Sequence, residues 1–196
     1  MTIEEEIQRA VDGGCRWVQL RMKNATREEV VATAKRAKEI CKAADDCILV
    51  VDDYVDIAKE LELDGVHLGK NDMDPTEARE LLGADYIIGA TANTFDDVQA
   101  LRHLDIDYIG LGPMRFTTTK ERLSPILGLE GYRQIIEQMR AEGIHLPLIA
   151  IGGITLDDIP ALAATGIDGI AMSGAILGAD NPVETTRHIM DKLNDK

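Results

Sequence analysis

Short apolar runs alternate along the chain with longer segments in which apolar residues recur at every third or fourth position. The short runs are almost continuously apolar, which is typical of strands buried on both faces of a parallel sheet. Each run ends in polar or glycine-containing residues, as expected of an α/β protein. Strands are predicted over residues 17–21, 47–52, 65–68, 86–91, 108–112, 148–153 and 169–174.

The longer segments between these runs predict amphipathic helices, several of which begin with a recognisable capping residue. A proline directly after one cap strengthens that helix start, because proline is favoured at the first helical position. Helices are predicted over residues 2–11, 26–43, 75–82 and 95–104, and the expected N-terminal caps are Thr2, Asp74 and Thr94.

The repeating strand–helix unit predicts a (β/α)8 TIM barrel. Polar residues fall systematically at the carboxyl ends of the predicted strands, which favours a barrel over the alternative, an open doubly wound sheet. The helix over residues 2–11 has no strand before it, so the sequence accounts for seven strands. We therefore expect a barrel that lacks its first strand in this sequence, with about 10–15 more residues upstream in the natural protein.

Composition narrows the class of protein. The 196 residues carry 21 Lys and Arg against 35 Asp and Glu, a formal net charge of −14, and 45% of them are hydrophobic. These values predict one barrel domain over residues 1–196. The acidic balance argues against nucleic acid as a partner, and no apolar run is long enough to predict a membrane span. Small molecules are the expected partners, and a homo-oligomer is left open.

The cysteines favour an intracellular location. Cys15, Cys41 and Cys47 form no CxxC pair, and an odd count without an apolar leader segment points to the cytoplasm rather than to secretion. Each cysteine lies in or beside an apolar stretch, so we interpret all three as packing residues rather than nucleophiles.

The first predicted strand ends in polar side chains that suit an anion. Gln19, Arg21 and Lys23 alternate along the chain and should therefore point to the same side. A guanidinium fork beside a lysine point charge is well suited to a phosphate. The alternative is a solvated strand end, since Lys and Arg side chains are usually exposed.

Aspartates follow the next two strands. Asp52 and Asp53 end the second strand, and Asp72 follows the third. Neighbouring barrel strands would bring Asp53 and Asp72 together, and one or two carboxylates commonly hold Mg²⁺ while substrate phosphates complete its shell. The alternative is a pair of isolated surface aspartates. His67 lies inside an apolar strand, so we interpret it as a packed, hydrogen-bonded side chain.

A second anion site is predicted at the remaining strand ends. The polar loop that follows the fifth strand suits a lid over an anionic ligand. The last two strands end in small residues, at the place where barrels build a phosphate cup. The loop, over residues 112–120, carries three threonines and Lys120, although such threonine runs also occur in ordinary loops. The small residues are Gly152 and Gly153 after one strand and Ser173 and Gly174 after the other.

Seven motifs spread over nearly the whole chain carry a family resemblance. They lie at residues 18–23 (VQLRMK), 51–53 (VDD), 64–72 (DGVHLGKND), 87–94 (IIGATANT), 107–120 (DYIGLGPMRFTTTK), 149–154 (IAIGGI) and 169–176 (GIAMSGAI). In this order and spacing they resemble the thiamine phosphate synthase family. The resemblance implies a magnesium-dependent transferase of thiamine biosynthesis, which couples hydroxymethylpyrimidine diphosphate to a thiazole phosphate and releases pyrophosphate.

The same resemblance implies a role for each site residue. The diphosphate would be bound by the catalytic cations Arg21, Lys23 and Lys120, and Mg²⁺ would be held against it by Asp53 and Asp72. The pyrimidine would lie near Gln19 and Thr91, and the thiazole phosphate near Thr117, Thr119, Gly153, Ser173 and Gly174.

The chain departs from the family pattern in places. Asp52 stands at a substrate-binding position where the family usually has Asn, so a hydrogen-bond donor is replaced by an acid. Lys70, where Gln is common, could offset the added charge. Two alternatives to a synthase stay open: an isomerase similar to thiazole tautomerase on the same barrel, and a noncatalytic phosphate-binding barrel.

Overall fold

A computed structural model describes residues 1–116 and 125–194 of the chain. The strands are β1 (Trp17–Leu20), β2 (Ile48–Asp52), β3 (Gly65–Leu68), β4 (Ile87–Ala92), β5 (Tyr108–Leu111), β6 (Leu148–Ala150) and β7 (Gly169–Ile170). The helices are α1 (Ile3–Asp12), α2 (Arg27–Lys42), α3 (Val55–Glu60), α4 (Pro75–Leu82), α5 (Phe95–Leu101), α6 (Gly128–Ala141), α7 (Ile159–Ala163), α8 (Gly174–Leu177) and α9 (Pro182–Asn194), with a 3₁₀ turn over Leu156–Asp158 before α7.

The strands form one parallel sheet in which each strand pairs with its neighbours in chain order, from β1 to β7. A doubly wound sheet would reverse this order at a switch point, so that alternative is wrong. The sheet is curled, as a contact between its first and fifth strands shows. The indole of Trp17 on β1 and the ring of Tyr108 on β5 lie 5.4 Å apart, measured between ring centroids. Strands β1 and β7 are the two edges. The prediction of a (β/α)8 barrel lacking one strand is confirmed.

Strand register decides which side chains face the helices and which face the barrel interior. Val51 pairs with Val66, and both are buried in the main apolar core together with helix residues such as Val30. The alternate residues Asp52 and His67 also pair with each other, and they face the opposite side of the sheet. The barrel interior is therefore partly polar, and its polar side chains lie toward the carboxyl ends of the strands.

Helix starts follow the sequence closely. The hydroxyl groups of Thr2, Thr26 and Thr94 each accept a hydrogen bond from the backbone N–H three residues later, in reciprocal capping boxes. Asp74 caps α4 by accepting from the N–H of Thr76 at 2.8 Å. The three predicted N-terminal caps are confirmed, and Thr26 is a further one.

The last two strands are shorter than predicted. Strand β6 ends at Ala150 because Gly152 and Gly153 take left-handed backbone conformations, with φ of 87° and 70°. Beyond β7, the N–H of Ala171 still donates to the carbonyl of Ala150 at 2.9 Å, and the chain then turns into α8. Both strand ends therefore become loop at the rim where the sequence predicts a phosphate site.

The predictions about membrane spans and about the cysteines can be compared with the described residues. None of the helices in these residues is long and apolar enough to cross a membrane. Cys15, Cys41 and Cys47 are free thiols; Cys41 is buried and the other two are half-buried. Burial raises the pKa of the Cys41 thiol, which opposes formation of a reactive thiolate. The interpretation as packing residues agrees with this environment.

Candidate active site

Asp53 and Asp72 meet at the carboxyl ends of β2 and β3. Asp53 directly follows β2 and has a left-handed backbone, with φ of 69°. Asp72 is oriented by the backbone N–H of Gly69, which donates to its Oδ2 at 2.5 Å. Burial, a hydrogen bond with Asp72 and the negative charges of Asp52 and Asp72 raise the pKa of Asp53 to about 7, against the opposing effect of Lys23. The structure brings together the two carboxylates that the sequence predicted to be neighbours.

Arg21 and Gln19 converge on Asp52 beside this pair. Asp52 is buried, with 7% of its surface exposed. Its Oδ2 lies 3.0 Å from Nε of Arg21, and its Oδ1 accepts a hydrogen bond from Nε2 of Gln19. Asp52 is thus held by two neighbouring side chains, and its negative charge is matched by the Arg21 guanidinium.

A cleft of about 290 Å³ lies over these groups. Its walls combine cations and carboxylates, so it can receive an anion together with a divalent cation. The residues that line it are Arg21, Met22, Lys23, Asn24, Asp52, Asp53 and Tyr54.

His67 is a packed residue of the barrel interior, as the sequence predicted. Its Nδ1 lies 2.9 Å from the hydroxyl of Tyr108, and its Nε2 lies 2.9 Å from Oγ1 of Thr91. Burial and the negative charge of Asp52 raise the pKa of Tyr108, so this tyrosine stays neutral. Sequence reasoning missed Tyr108, although its place on an inward-facing register position was a usable signal.

Lys70 does not offset the charge of Asp52. Its Nζ lies 2.6 Å from Oδ2 of Asp97, the same atom that accepts from the N–H groups of Asn93 at 2.8 Å and Thr94 at 2.9 Å. Lys70 therefore supports the start of α5. The expectation was wrong because the cation that pairs with Asp52 is Arg21, directly after β1, and only the sheet register reveals that neighbour.

A bidentate ion pair, which sequence reasoning missed, joins the loop after β5 to the turn after β6. Both terminal nitrogens of Arg115 donate to the carboxylate of Asp158, one of them at 2.5 Å. Nη1 also donates to the carbonyl of Gly153 at 3.2 Å. The arginine holds the pKa of Asp158 well below its usual range, with help from Thr155. No local motif signals this pair, since its members lie 43 residues apart.

The second predicted anion site is only partly described. Gly153 lies in the turn after β6, and Ser173 and Gly174 lie at the start of α8 after β7, on neighbouring strands. No hydrogen bond between described residues uses the backbone N–H of any of these three. The predicted residues Thr117, Thr119 and Lys120 lie outside the described residues.

Comparison with known proteins then decides the family. A family model described as thiamine monophosphate synthase matches residues 1–176. The chain belongs to this family. Membership in the thiamine monophosphate synthase family makes the chain a transferase of thiamine biosynthesis that acts on small molecules.

Individual relatives agree with this assignment. The chain is 56% identical over 187 residues to a thiamine-phosphate synthase of Bacteroides fragilis, covering 95% of this chain and 91% of the relative. It is 55% identical over 190 residues to the thiamine-phosphate synthase of Bacteroides thetaiotaomicron, covering 97% and 90%. A solved thiamine phosphate pyrophosphorylase from Pyrococcus furiosus has a TM-score of 0.87 at 31% identity, covering 99% of this chain and 90% of that one. Orotidine 5'-phosphate decarboxylase from Pyrococcus horikoshii, with a TM-score of 0.70 and 15% identity over 100% of this chain and 97% of that one, shares the fold alone.

The carboxylate pair of this thiamine monophosphate synthase family member fits a hard divalent cation. In contact without a cation, Asp53 and Asp72 disfavour each other's ionisation, which is one cause of the raised Asp53 pKa. Within residues 1–116 and 125–194, no group of three or more His, Cys, Asp or Glu side chains is arranged to hold a metal ion. A cation held by two carboxylates needs further oxygen ligands, and substrate phosphates are the usual supply for Mg²⁺.

Proposed function

We propose that this chain is a thiamine phosphate synthase, which joins hydroxymethylpyrimidine diphosphate to a thiazole phosphate and releases pyrophosphate. The observation that carries the proposal is the contact between Asp53 and Asp72 at the edge of a cleft that Arg21 and Lys23 also line. A diphosphate bound with Mg²⁺ needs this combination of oxygen ligands and cations.

The diphosphate is the leaving group of the proposed reaction. Asp53 and Asp72 hold Mg²⁺, and Arg21, Lys23 and Lys120 bind the remaining phosphate charge. When bound, Mg²⁺ supplies positive charge that stabilises the departing pyrophosphate. The carbon–oxygen bond between the pyrimidine methylene and the diphosphate breaks, and its electron pair leaves with the oxygen. The protein cations neutralise that developing charge, which is electrostatic stabilisation in the transition state.

The thiazole nitrogen then forms the new carbon–nitrogen bond with its lone pair. No protein nucleophile is needed, so the contribution of the chain is to align the two substrates. The thiazole phosphate is held by backbone N–H groups at Gly153, Ser173 and Gly174, which are not engaged in hydrogen bonds between described residues. Thr117 and Thr119 complete this site.

The pyrimidine lies near Gln19 and Thr91. His67 contacts the Thr91 hydroxyl at 2.9 Å and so limits its orientation. Asp52, predicted as a substrate-binding residue, acts by holding Arg21 and Gln19 in place, because both contact its carboxylate. Its acid group is compatible with a diphosphate site because the Arg21 guanidinium lies against it. The free thiols of the described residues suit a reaction in the reducing cytoplasm.

The test is product analysis after incubation of the purified protein with both substrates and Mg²⁺. A synthase forms thiamine phosphate only when both substrates are present, and chelation of Mg²⁺ stops the reaction. An isomerase would instead convert a thiazole phosphate carboxylate without the pyrimidine substrate or the metal. A noncatalytic phosphate-binding barrel would bind thiazole phosphate and form no product. Either of these last two results would overturn the proposal.

A further inference from the structure

The ion pair of Arg115 with Asp158 lies at the root of the loop that leads to Thr117 and Lys120. Asp158 is fixed within its own turn, since its Oδ2 accepts from both the N–H and the hydroxyl of Thr155 at 2.8 Å. Its carboxylate is therefore a firm anchor, and the planar guanidinium of Arg115 binds it through two parallel bonds. The pair ties the β5 loop to the β6 turn.

Backbone contacts bring the same two segments together. The N–H of Met114 donates to the carbonyl of Ile151 at 2.9 Å, and the N–H of Arg115 donates to the carbonyl of Gly152 at 3.1 Å. A Cβ at Gly152 would lie 2.7 Å from Cβ of Pro113, so only glycine allows this approach. The side-chain pair thus closes an interface that backbone hydrogen bonds begin.

This interface sets the direction of one N–H group at the rim. The carbonyl of Gly152 and the N–H of Gly153 belong to the same peptide unit, which is planar and trans, so they point in opposite directions. Because the carbonyl is held by the N–H of Arg115, the N–H of Gly153 is directed away from the β5 loop. The Arg115 side chain also binds the next carbonyl, that of Gly153, at 3.2 Å.

We propose that the Arg115–Asp158 ion pair positions the Gly153 N–H for binding of the thiazole phosphate. The inference rests on the proposed function. Arg115 and Asp158 are positioning residues, since they act through Gly153 rather than by touching substrate. Loss of the pair should weaken binding of the thiazole phosphate more than binding of the pyrimidine diphosphate, because most of the proposed diphosphate ligands follow the far strands β1 to β3.

The test compares Arg115→Met with Arg102→Met in steady-state kinetics. Arg102 makes an ion pair with Glu142 at 2.8 Å, which also joins two segments but lies at the carboxyl ends of α5 and α6, away from the rim. We expect Arg115→Met to raise KM for thiazole phosphate about 10-fold, with KM for the pyrimidine diphosphate changed less than about 2-fold. Arg102→Met should leave both KM values at the wild-type level.

Two further variants separate positioning from general stability. Arg115→Lys should restore only part of the affinity, because one ammonium group cannot make two parallel bonds. Arg115→Met combined with Asp158→Asn should raise KM no more than the worse single variant, as expected for residues that act as one pair. An unchanged KM for thiazole phosphate in Arg115→Met, an equal rise of both KM values, or additive effects would overturn the proposal.

A calorimetric titration keeps this test independent of turnover. If the wild-type protein forms no thiamine phosphate, the proposed function fails, and titration with thiazole phosphate then decides on the ion pair. A Kd that Arg115→Met weakens about 10-fold and Arg102→Met leaves unchanged supports the positioning role. Equal Kd values for the three proteins, or no binding to the wild-type protein, would overturn it.

Discussion

At the scale of single residues, the site depends on an aspartate held in an unfavourable state. Asp53 has a left-handed backbone and lies against a second carboxylate, and its pKa is raised to about 7. In the unfolded chain its pKa would be near 3.8. Between these values the folded protein binds a proton that the unfolded chain does not. Without a cation, the protein therefore loses stability as the pH rises from the unfolded-state pKa to the folded-state pKa of Asp53, and the loss is complete above about pH 7.

The substitution Asp53→Asn tests this account of the carboxylate pair. Asn is one of the few residues other than glycine that adopt left-handed backbone without large strain, so the variant should fold. In EDTA at pH 8 we expect the variant to melt at the same temperature as the wild-type protein or higher, with a smaller difference at pH 6. Added Mg²⁺ should raise the melting temperature of the wild-type protein only.

Thermal melts at the two pH values, with and without Mg²⁺, check this expectation. An equal response of both proteins to Mg²⁺ would contradict the assignment of Asp53 to the metal. A difference in melting temperature that is larger at pH 6 than at pH 8 would contradict the raised pKa of Asp53.

At the scale of elements, the sequence predicted where helices begin but not where strands end. Caps such as Thr94 are local signals, because the side chain bonds a backbone group three residues away. The end of β6 depends instead on packing of Gly152 against Pro113, a contact between distant parts of the chain. Strands were therefore located correctly, but β6 and β7 were predicted too long.

The capping box of α2 gives a prediction about stability. This helix is long, and its buried face packs Val30 and Ala34 into the main core. Thr26→Ala removes the side-chain acceptor for the N–H of Glu29 and should lower the free energy of unfolding by about 1 kcal/mol. Thr76→Ala, in the first turn of α4, is the matched control, because there the cap is supplied by Asp74.

Urea denaturation of the two variants checks this role of Thr26. The account is contradicted if Thr26→Ala and Thr76→Ala have the same free energy of unfolding.

At the scale of the whole molecule, the order of the strands explains what sequence reasoning achieved. Once the barrel was predicted, neighbouring strand ends placed Asp53 beside Asp72 without any knowledge of side-chain geometry. The partners of Asp52 and Arg115 could not be found in this way. Each depends on register or on loop packing between residues that are distant in sequence, and neither leaves a local pattern.

The open side of the barrel gives a prediction about Trp17, the single tryptophan of the chain. Trp17 lies on the edge strand β1 and is 44% exposed, although its ring contacts Tyr108. Acrylamide should therefore quench its fluorescence with a clear Stern–Volmer slope, below that of the same protein unfolded in guanidinium chloride. A slope near zero would mean that the gap between β1 and β7 is covered in solution.

The central claim is that this rim catalyses formation of thiamine phosphate through a diphosphate held at Asp53 and Asp72. The most direct measurement is the initial rate of pyrophosphate release by wild-type protein and by Asp53→Asn, with both substrates and saturating Mg²⁺. We expect wild-type protein to release one pyrophosphate for each thiamine phosphate formed, and the variant to be slower by about 100-fold. Absence of turnover by the wild-type protein, or a wild-type rate in the variant, would contradict the account.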